Sequence, residues 1–324
     1  MTVNALPDPE MLASAVCAGE RGALATALNL LDDRREASRS HASRLLQRLA
    51  TLADPAAARL VGMTGPPGVG KSSLTAALIR YWRSQNLRVG VLAVDPSSPI
   101  SGGALLGDRL RMQVNERDDG VFIRSLSSRG EFGGLSAQVW PMSCVMLAAF
   151  DAVVVETVGV GQREVDVANL CDTTCFVAQP GSGDSVQFIK AGVLEVPHIV
   201  VVNKADMGEV ATRTLSEMQG SMHRDHPDGD WEVRILATSA TRGTGVPELA
   251  QVIEARHAEL AASDRLMKRR RGYHAQWLIT RVTQEFGQYG LQRLGGAESA
   301  MATLADSNSD LFTQYDVLRD KILN

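Results

Sequence analysis

The chain has 324 residues, 44% of them hydrophobic, which is enough for packed cores and too much for a disordered chain. Lysine and arginine number 33 against 37 aspartates and glutamates, and a net charge of −4 argues against sequence-independent nucleic-acid binding. Four cysteines do not make a disulfide framework at this length, the N-terminus has no basic-then-apolar leader, and no segment approaches the roughly 20 apolar residues that cross a bilayer. The expectation is a cytoplasmic protein with no nucleic-acid and no membrane partner.

Residues 1–55 carry apolar stripes at helical spacing, Leu24, Leu28 and Leu31 and then Leu45, Leu46 and Leu49, which predict a helical N-terminal extension of two or three helices. Residues 56–257 alternate helical stretches with short apolar runs: Leu60–Thr64, Val89–Asp95, Ala152–Glu156, Thr173–Gln179, Ile199–Asn203 and Val233–Thr238. Val121–Leu126 is a candidate for one more. Most of these runs are valine-rich and apolar on both faces, the pattern of parallel strands covered by helices on both sides. The alternation predicts an α/β fold with a doubly wound, mostly parallel sheet. Residues 258–324 return to helical spacing, with Leu278, Val282, Phe286 and Tyr289 on one face and Leu311, Tyr315, Leu318 and Ile322 on another. Gly287, Gly290, Gly295 and Gly296 are expected to break this last region.

The most specific motif is Gly65, Pro66, Pro67, Gly68, Val69, Gly70, Lys71 and Ser72, which fits GxxxxGK[ST] between a predicted strand and a helix opening at Ser73. Glycines allow backbone N–H groups to converge on phosphate oxygens, Lys71 reaches the β- and γ-phosphates, and the Ser72 hydroxyl ligates Mg²⁺. The loop predicts a P-loop nucleotide triphosphatase and leaves the base open. Asn203, Lys204 and Asp206, at the end of an apolar run, decide the base. A carboxylate at Asp206 accepts from guanine N1–H and the 2-amino group, whereas adenine offers no donors there and leaves a charged acceptor unpaired. Lys204 is expected along the base plane, and Asn203 is expected to tie its loop to the phosphate loop. Ser239, Ala240 and Thr241 follow the next run, where a backbone N–H meets the guanine 6-oxo group.

Two carboxylates end the intervening runs, Asp95 and Glu156, and either holds Mg²⁺ directly or through water. Glu156 opens Glu156-Thr157-Val158-Gly159, a variant of DxxG, so the Gly159 N–H is a candidate γ-phosphate sensor. The water-orienting glutamine that directly follows DxxG in the best-known GTPases is replaced by Val160, with Gln162 two positions on. Slow unassisted turnover is expected.

The stretch from Asp95 through Pro96, Ser97 and Ser98 to Asp108 and Met112, followed by Glu156 to Gln162, resembles the MeaB/ArgK family. These are GTPases that act as chaperones of adenosylcobalamin-dependent acyl-CoA mutases such as methylmalonyl-CoA mutase. The resemblance implies a GTPase that hydrolyses GTP to GDP and phosphate, gates adenosylcobalamin delivery from an adenosyltransferase, and protects or reactivates the mutase. It implies Asp108 as the switch aspartate of a first mobile loop, in a magnesium network with Ser72, Asp95 and Glu156. It implies Lys71, Asp108, Glu156 and Lys190 as the catalytic set, and Asp184, Gln187 and Lys190, with Gly159, as the groups that couple the nucleotide to the partner. It also implies a homodimer built by the helical extensions, a role suited to a C-terminal region with two apolar stripes and no strands.

Other features read as structural. Cys171 and Cys175 lack flanking ligands for a four-coordinate metal and read as buried cysteines. His223 and His226, with Asp225 and Asp228, read as solvated loop residues, and Lys268–Arg271 as a solvated helix face. Two rival functions remain open at this point: a metal-delivery GTPase for nickel or zinc, and a P-loop kinase. The missing Cys/His cluster argues against the first and the guanine motif against the second.

Overall fold

The computed structural model describes residues 6–33, 35–54, 56–95, 114, 118–127, 138–157, 170–181, 197–221, 231–305 and 311–324. The strands are β1 (Arg59–Thr64), β2 (Val89–Asp95), β3 (Val121–Ser127), β4 (Ala152–Thr157), β5 (Thr173–Ala178), β6 (Ile199–Val202) and β7 (Arg234–Ala237). The helices are α1 (Pro9–Ala18), α2 (Arg21–Asp32), α3 (Glu36–Leu52), α4 (Lys71–Ser84), α5 (Val139–Leu147), α6 (Glu209–Ser221), α7 (Val246–Ala261), α8 (Arg265–Arg293), α9 (Ala297–Ala305) and α10 (Leu311–Leu323). Among the described residues no helix is long and apolar enough to cross a membrane.

The chain divides into two compact units. One comprises Arg59–Ser136 and Asp151–Ser263 and carries all the strands. They form a single sheet in the order β3-β2-β4-β1-β5-β6-β7, every neighbouring pair parallel. This is the expected α/β, doubly wound P-loop architecture, with Val121–Leu126 as a true strand at one edge. The apolar-on-both-faces pattern has a direct cause. On β5 and β6, Cys175, Val177, Ile199 and Val201 bury into the layer formed with α4 and α7, through Leu74, Leu78, Trp82, Leu249 and Ile253. Phe176, Ala178, Val200 and Val202 alternate with them and bury on the other face against Met218 of α6. Fully burying each Val, Ile, Leu, Met or Phe side chain among these contributes about 1.5–3 kcal/mol, which stabilises both faces of the sheet.

The other unit comprises Met1–Ala58, Ala137–Phe150 and Asp264–Asn324, and its described residues are helical or loop. It includes α5, which lies in the middle of the stretch that the sequence assigns to the nucleotide-binding region. α5 is apolar all round and buries Val139, Trp140, Met142, Val145 and Met146. Leu24, Leu28, Leu31, Leu45, Leu46 and Leu49 are buried, as are Leu278, Val282, Leu311, Tyr315 and Ile322. The Trp277 ring meets Phe312 and Tyr315 edge-on, at 5.7 and 6.3 Å between centroids. The terminal stripes therefore bury largely within this unit, and the exposed large apolar side chains of α8 and α10 are Tyr289, Val317 and Leu323.

The break expected at Gly287 is present, since two helical stretches, grouped here as α8, meet there at non-helical φ 61°, ψ −153°, and the chain turns again at Gly295 and Gly296. Two expectations are corrected here. Gly290 does not break the chain and stays helical. The run Lys268–Arg271 is not a uniformly solvated face, because Arg270 is buried and donates to the Ala58 carbonyl at 2.7 Å.

Candidate functional site

Parallel strands that share a sheet bring their C-terminal ends to one edge, and the loops that leave that edge form a crevice. Here β1 runs into the glycine loop, β6 into Asn203, β7 into Ser239, and β4 ends with Glu156 and Thr157. The central position of β1, between β4 and β5, puts the glycine loop among the others.

The loop from Gly65 to Gly70 needs its glycines for stated reasons. Gly65 has φ +132°, and a Cβ there would lie 2.2 Å from the Val177 carbonyl oxygen. Gly70 has φ +94°, and a Cβ there would lie 2.5 Å from Asn203 Nδ2. α4 starts directly after Gly70 with no side-chain cap, so its first N–H groups and the positive end of its dipole face the loop. Lys71 is buried, and its Nζ donates to the carbonyls of Gly65 at 2.7 Å and Pro66 at 2.9 Å. The ammonium is thereby held inside the loop it serves.

The Ser72 hydroxyl donates to Glu156 Oε1 at 2.5 Å. Glu156 is 4% exposed and pairs in register with Met63 of β1 and Ala93 of β2. Asp95 lies two residues beyond Ala93, at the end of β2. A hydroxyl and a buried carboxylate form a hard-oxygen pair of the kind that small divalent cations prefer. Asp108, Gly159, Val160, Gln162, Asp184, Gln187 and Lys190 lie outside the described residues, as do His223, Asp225, His226 and Asp228.

The residues after β6 and β7 form one hydrogen-bonded assembly. Asn203 Nδ2 donates to the Val69 carbonyl at 3.0 Å, and Asn203 Oδ1 accepts from the Ala240 N–H at 3.2 Å and the Thr238 hydroxyl at 3.3 Å. One buried amide thus staples the glycine loop to the β7 loop. Lys204, in the left-handed region at φ +60°, turns its side chain back, and Nζ donates to the Gly68 carbonyl at 2.9 Å and to Gln179 Oε1 at 2.6 Å. Asp206 is exposed, and its Oδ1 accepts from the Ser239 hydroxyl at 2.6 Å. That bond, its own backbone N–H and the cations Arg242 and Lys204 hold the Asp206 carboxyl below the usual carboxylate range. The group is a fixed, ionised acceptor. Thr241 Oγ1 lies 3.1 Å from the Ser239 hydroxyl, and the Ser239 N–H donates to the Thr244 carbonyl at 2.9 Å, closing the loop.

Residues 24–291 match the family described as Methylmalonyl Co-A mutase-associated GTPase MeaB. The chain belongs to the MeaB family of GTPases. It is similar to the Pyrococcus horikoshii protein named "Putative GTPase PH0274", at 38% identity over 309 residues that cover 94% of this chain and 95% of that one. It is similar to the GTPase ArgK of Escherichia coli, at 35% identity over 274 residues, 82% of this chain and 81% of that one. A solved structure described as a LAO/AO transport system kinase superposes with a TM-score of 0.67 at 26% identity, covering 96% of this chain and 97% of that one. As a MeaB-family GTPase, the protein binds GTP and GDP and hydrolyses GTP.

Within the MeaB-family site, two residues carry no sequence signal of their own. Gln179 follows β5 and holds Lys204, and Thr238 ends the β7 segment and holds Asn203. Only their place, last in a predicted run and one residue beyond the observed strand, marks them. Cys171 and Cys175 are buried, and burial pushes the Cys175 thiol up to about 12. Among the described residues no three His, Cys, Asp or Glu side chains group as a metal cluster.

Proposed function

We propose that this GTPase uses its nucleotide cycle to gate adenosylcobalamin loading of an acyl-CoA mutase in the cytoplasm and to protect or reactivate that enzyme. The observation that carries the reading is the family match across residues 24–291, to a family described by its association with methylmalonyl-CoA mutase. The site geometry supports it through a hydrogen-bonded assembly at one sheet edge that would suit a guanine nucleotide and a divalent cation.

In this reading the backbone amides of Gly68–Ser73 cradle the phosphates, and Lys71 bridges the β- and γ-phosphoryl oxygens. Ser72 and Glu156, a pair of hard oxygens, would hold magnesium, with Asp95 and Asp108 completing the network, and the ion would supply positive charge beside the phosphate oxygens. Asn203, Lys204, Asp206 and the Ser239–Thr241 loop hold the guanine. Val160 stands where a water-orienting glutamine is usual, so hydrolysis is slow until the partner completes the site. Gly159, Asp184, Gln187 and Lys190 report the γ-phosphate outward. The protein acts as a homodimer, with Tyr289, Val317 and Leu323 as the exposed apolar side chains of its last helices.

Complex formation with purified acyl-CoA mutases, measured by size-exclusion chromatography, tests the partner. The reading expects a complex with one mutase whose stability differs between GDP and a non-hydrolysable GTP analogue. No complex in either nucleotide state with any acyl-CoA mutase refutes it.

A further inference from the structure

We propose that Gln179 is a positioning residue for guanine nucleotides, acting through Lys204. It rests on the reading of Lys204 as the residue whose stem lies along the base.

An ammonium has three donors and no acceptor, so the side-chain atom of Gln179 that faces Lys204 Nζ is its oxygen. The 2.6 Å bond to Gln179 Oε1 is half-buried, whereas the 2.9 Å bond to the Gly68 carbonyl is exposed. The two together fix both ends of the lysine stem, since the Lys204 backbone is itself fixed: the Ala205 N–H donates to the Thr238 carbonyl at 2.9 Å and the Met207 N–H to Lys204 at 3.0 Å. A stem pinned at both ends is a flat apolar bar on which a purine ring packs. Without Gln179 the ammonium keeps only the exposed carbonyl, and a rotamer-rich side chain must be ordered by the ligand.

Gln179 is well placed to do this. Ala178 pairs with Val202 in the β5–β6 register, and the Asn203 N–H donates to the Ala178 carbonyl at 2.9 Å, so Gln179 and Lys204 leave adjacent strand ends at fixed spacing. Two residues on, the Gly181 N–H donates to the buried Thr214 hydroxyl at 3.3 Å and anchors the far side of the turn. Because a stem packs on a ring face and reads no edge, Gln179 acts on affinity for purines in general, while Asp206 acts on the choice among them.

Calorimetric titration of GDP and IDP into the full chain and into Q179A, Q179E, K204A and Q179A/K204A tests this. Loss of one charge-assisted bond predicts that Q179A weakens GDP about tenfold and IDP by the same factor. Q179E, which keeps an acceptor toward the ammonium, restores GDP binding. The double variant binds within about twofold of K204A, because both changes remove one interaction. In turnover assays Q179A raises KM for GTP while kcat holds within about twofold. The proposal is overturned if Q179A binds GDP as the wild type does, if its loss adds fully to that of K204A, or if kcat falls and Q179E does not rescue. K204A binding GDP normally would refute the reading of Lys204 itself, an outcome distinct from a normal Q179A beside a weakened K204A.

Discussion

Replacing Asp206 by asparagine changes one oxygen for an NH₂, and the structure says which. Ser239 donates its hydroxyl to Asp206 Oδ1 at 2.6 Å, so the amide oxygen of an asparagine stays with Ser239. The NH₂ then replaces Oδ2 and faces the base. Guanine presents two donors there, N1–H and the 2-amino group, and donor now meets donor. One or two charge-assisted hydrogen bonds are lost, partly regained from water because the site is exposed, so a loss of roughly 30- to 150-fold in affinity is expected. Xanthine presents a 2-oxo acceptor to the same NH₂, so XDP gains where GDP loses. Competition binding of GDP and XDP to wild type and D206N reads both effects at once. A D206N protein that still prefers GDP by its wild-type ratio refutes the assignment of Asp206 to the base edge.

Three other outcomes follow from the same geometry. Gly65→Ala forces a Cβ to 2.2 Å from the Val177 carbonyl at φ +132°, and is expected to cost about 2–5 kcal/mol in urea unfolding and to abolish GDP binding; a stable, nucleotide-binding variant contradicts it. The Cys175 thiol, pushed to about 12 by burial, is expected to stay unlabelled by a disulfide reagent near pH 8 in the folded protein and to label at once in denaturant. The depressed Asp206 carboxyl gives a sign for pH: its contribution is present above the unfolded value of about 3.9 and is lost as pH falls through the lower folded value. GDP affinity is therefore expected to show no loss attributable to this group between about pH 8 and 5, checked by comparing wild type with D206N across that range.

Much of this was legible because the informative residues are fixed by local constraint. Valine runs mark strands buried on both faces, and β1, β2 and β4–β7 fall on the predicted runs to within one residue at each end. The glycine loop and the Asn203–Asp206 turn are read from spacing because backbone geometry dictates it. What escaped depends on contacts between distant parts. Gln179 meets Lys204 only through the β5–β6 register, and Thr238 meets Asn203 only through β6–β7. The all-round apolarity of α5 marks burial without saying in which unit. Arg270 looks like its charged neighbours, and only the fold gives it the Ala58 carbonyl. Gly287 interrupts the helix as expected, whereas Gly290 stays helical, next to the buried Leu291.

The central claim is that nucleotide turnover by this chain is read and accelerated by an acyl-CoA mutase. The measurement is phosphate release from GTP by the purified protein, alone and with each candidate mutase. The account predicts slow turnover alone and a rise of about tenfold or more with one mutase, equivalent to about 1.4 kcal/mol off the barrier. Fast turnover by the isolated protein, or turnover unchanged by every mutase, contradicts it.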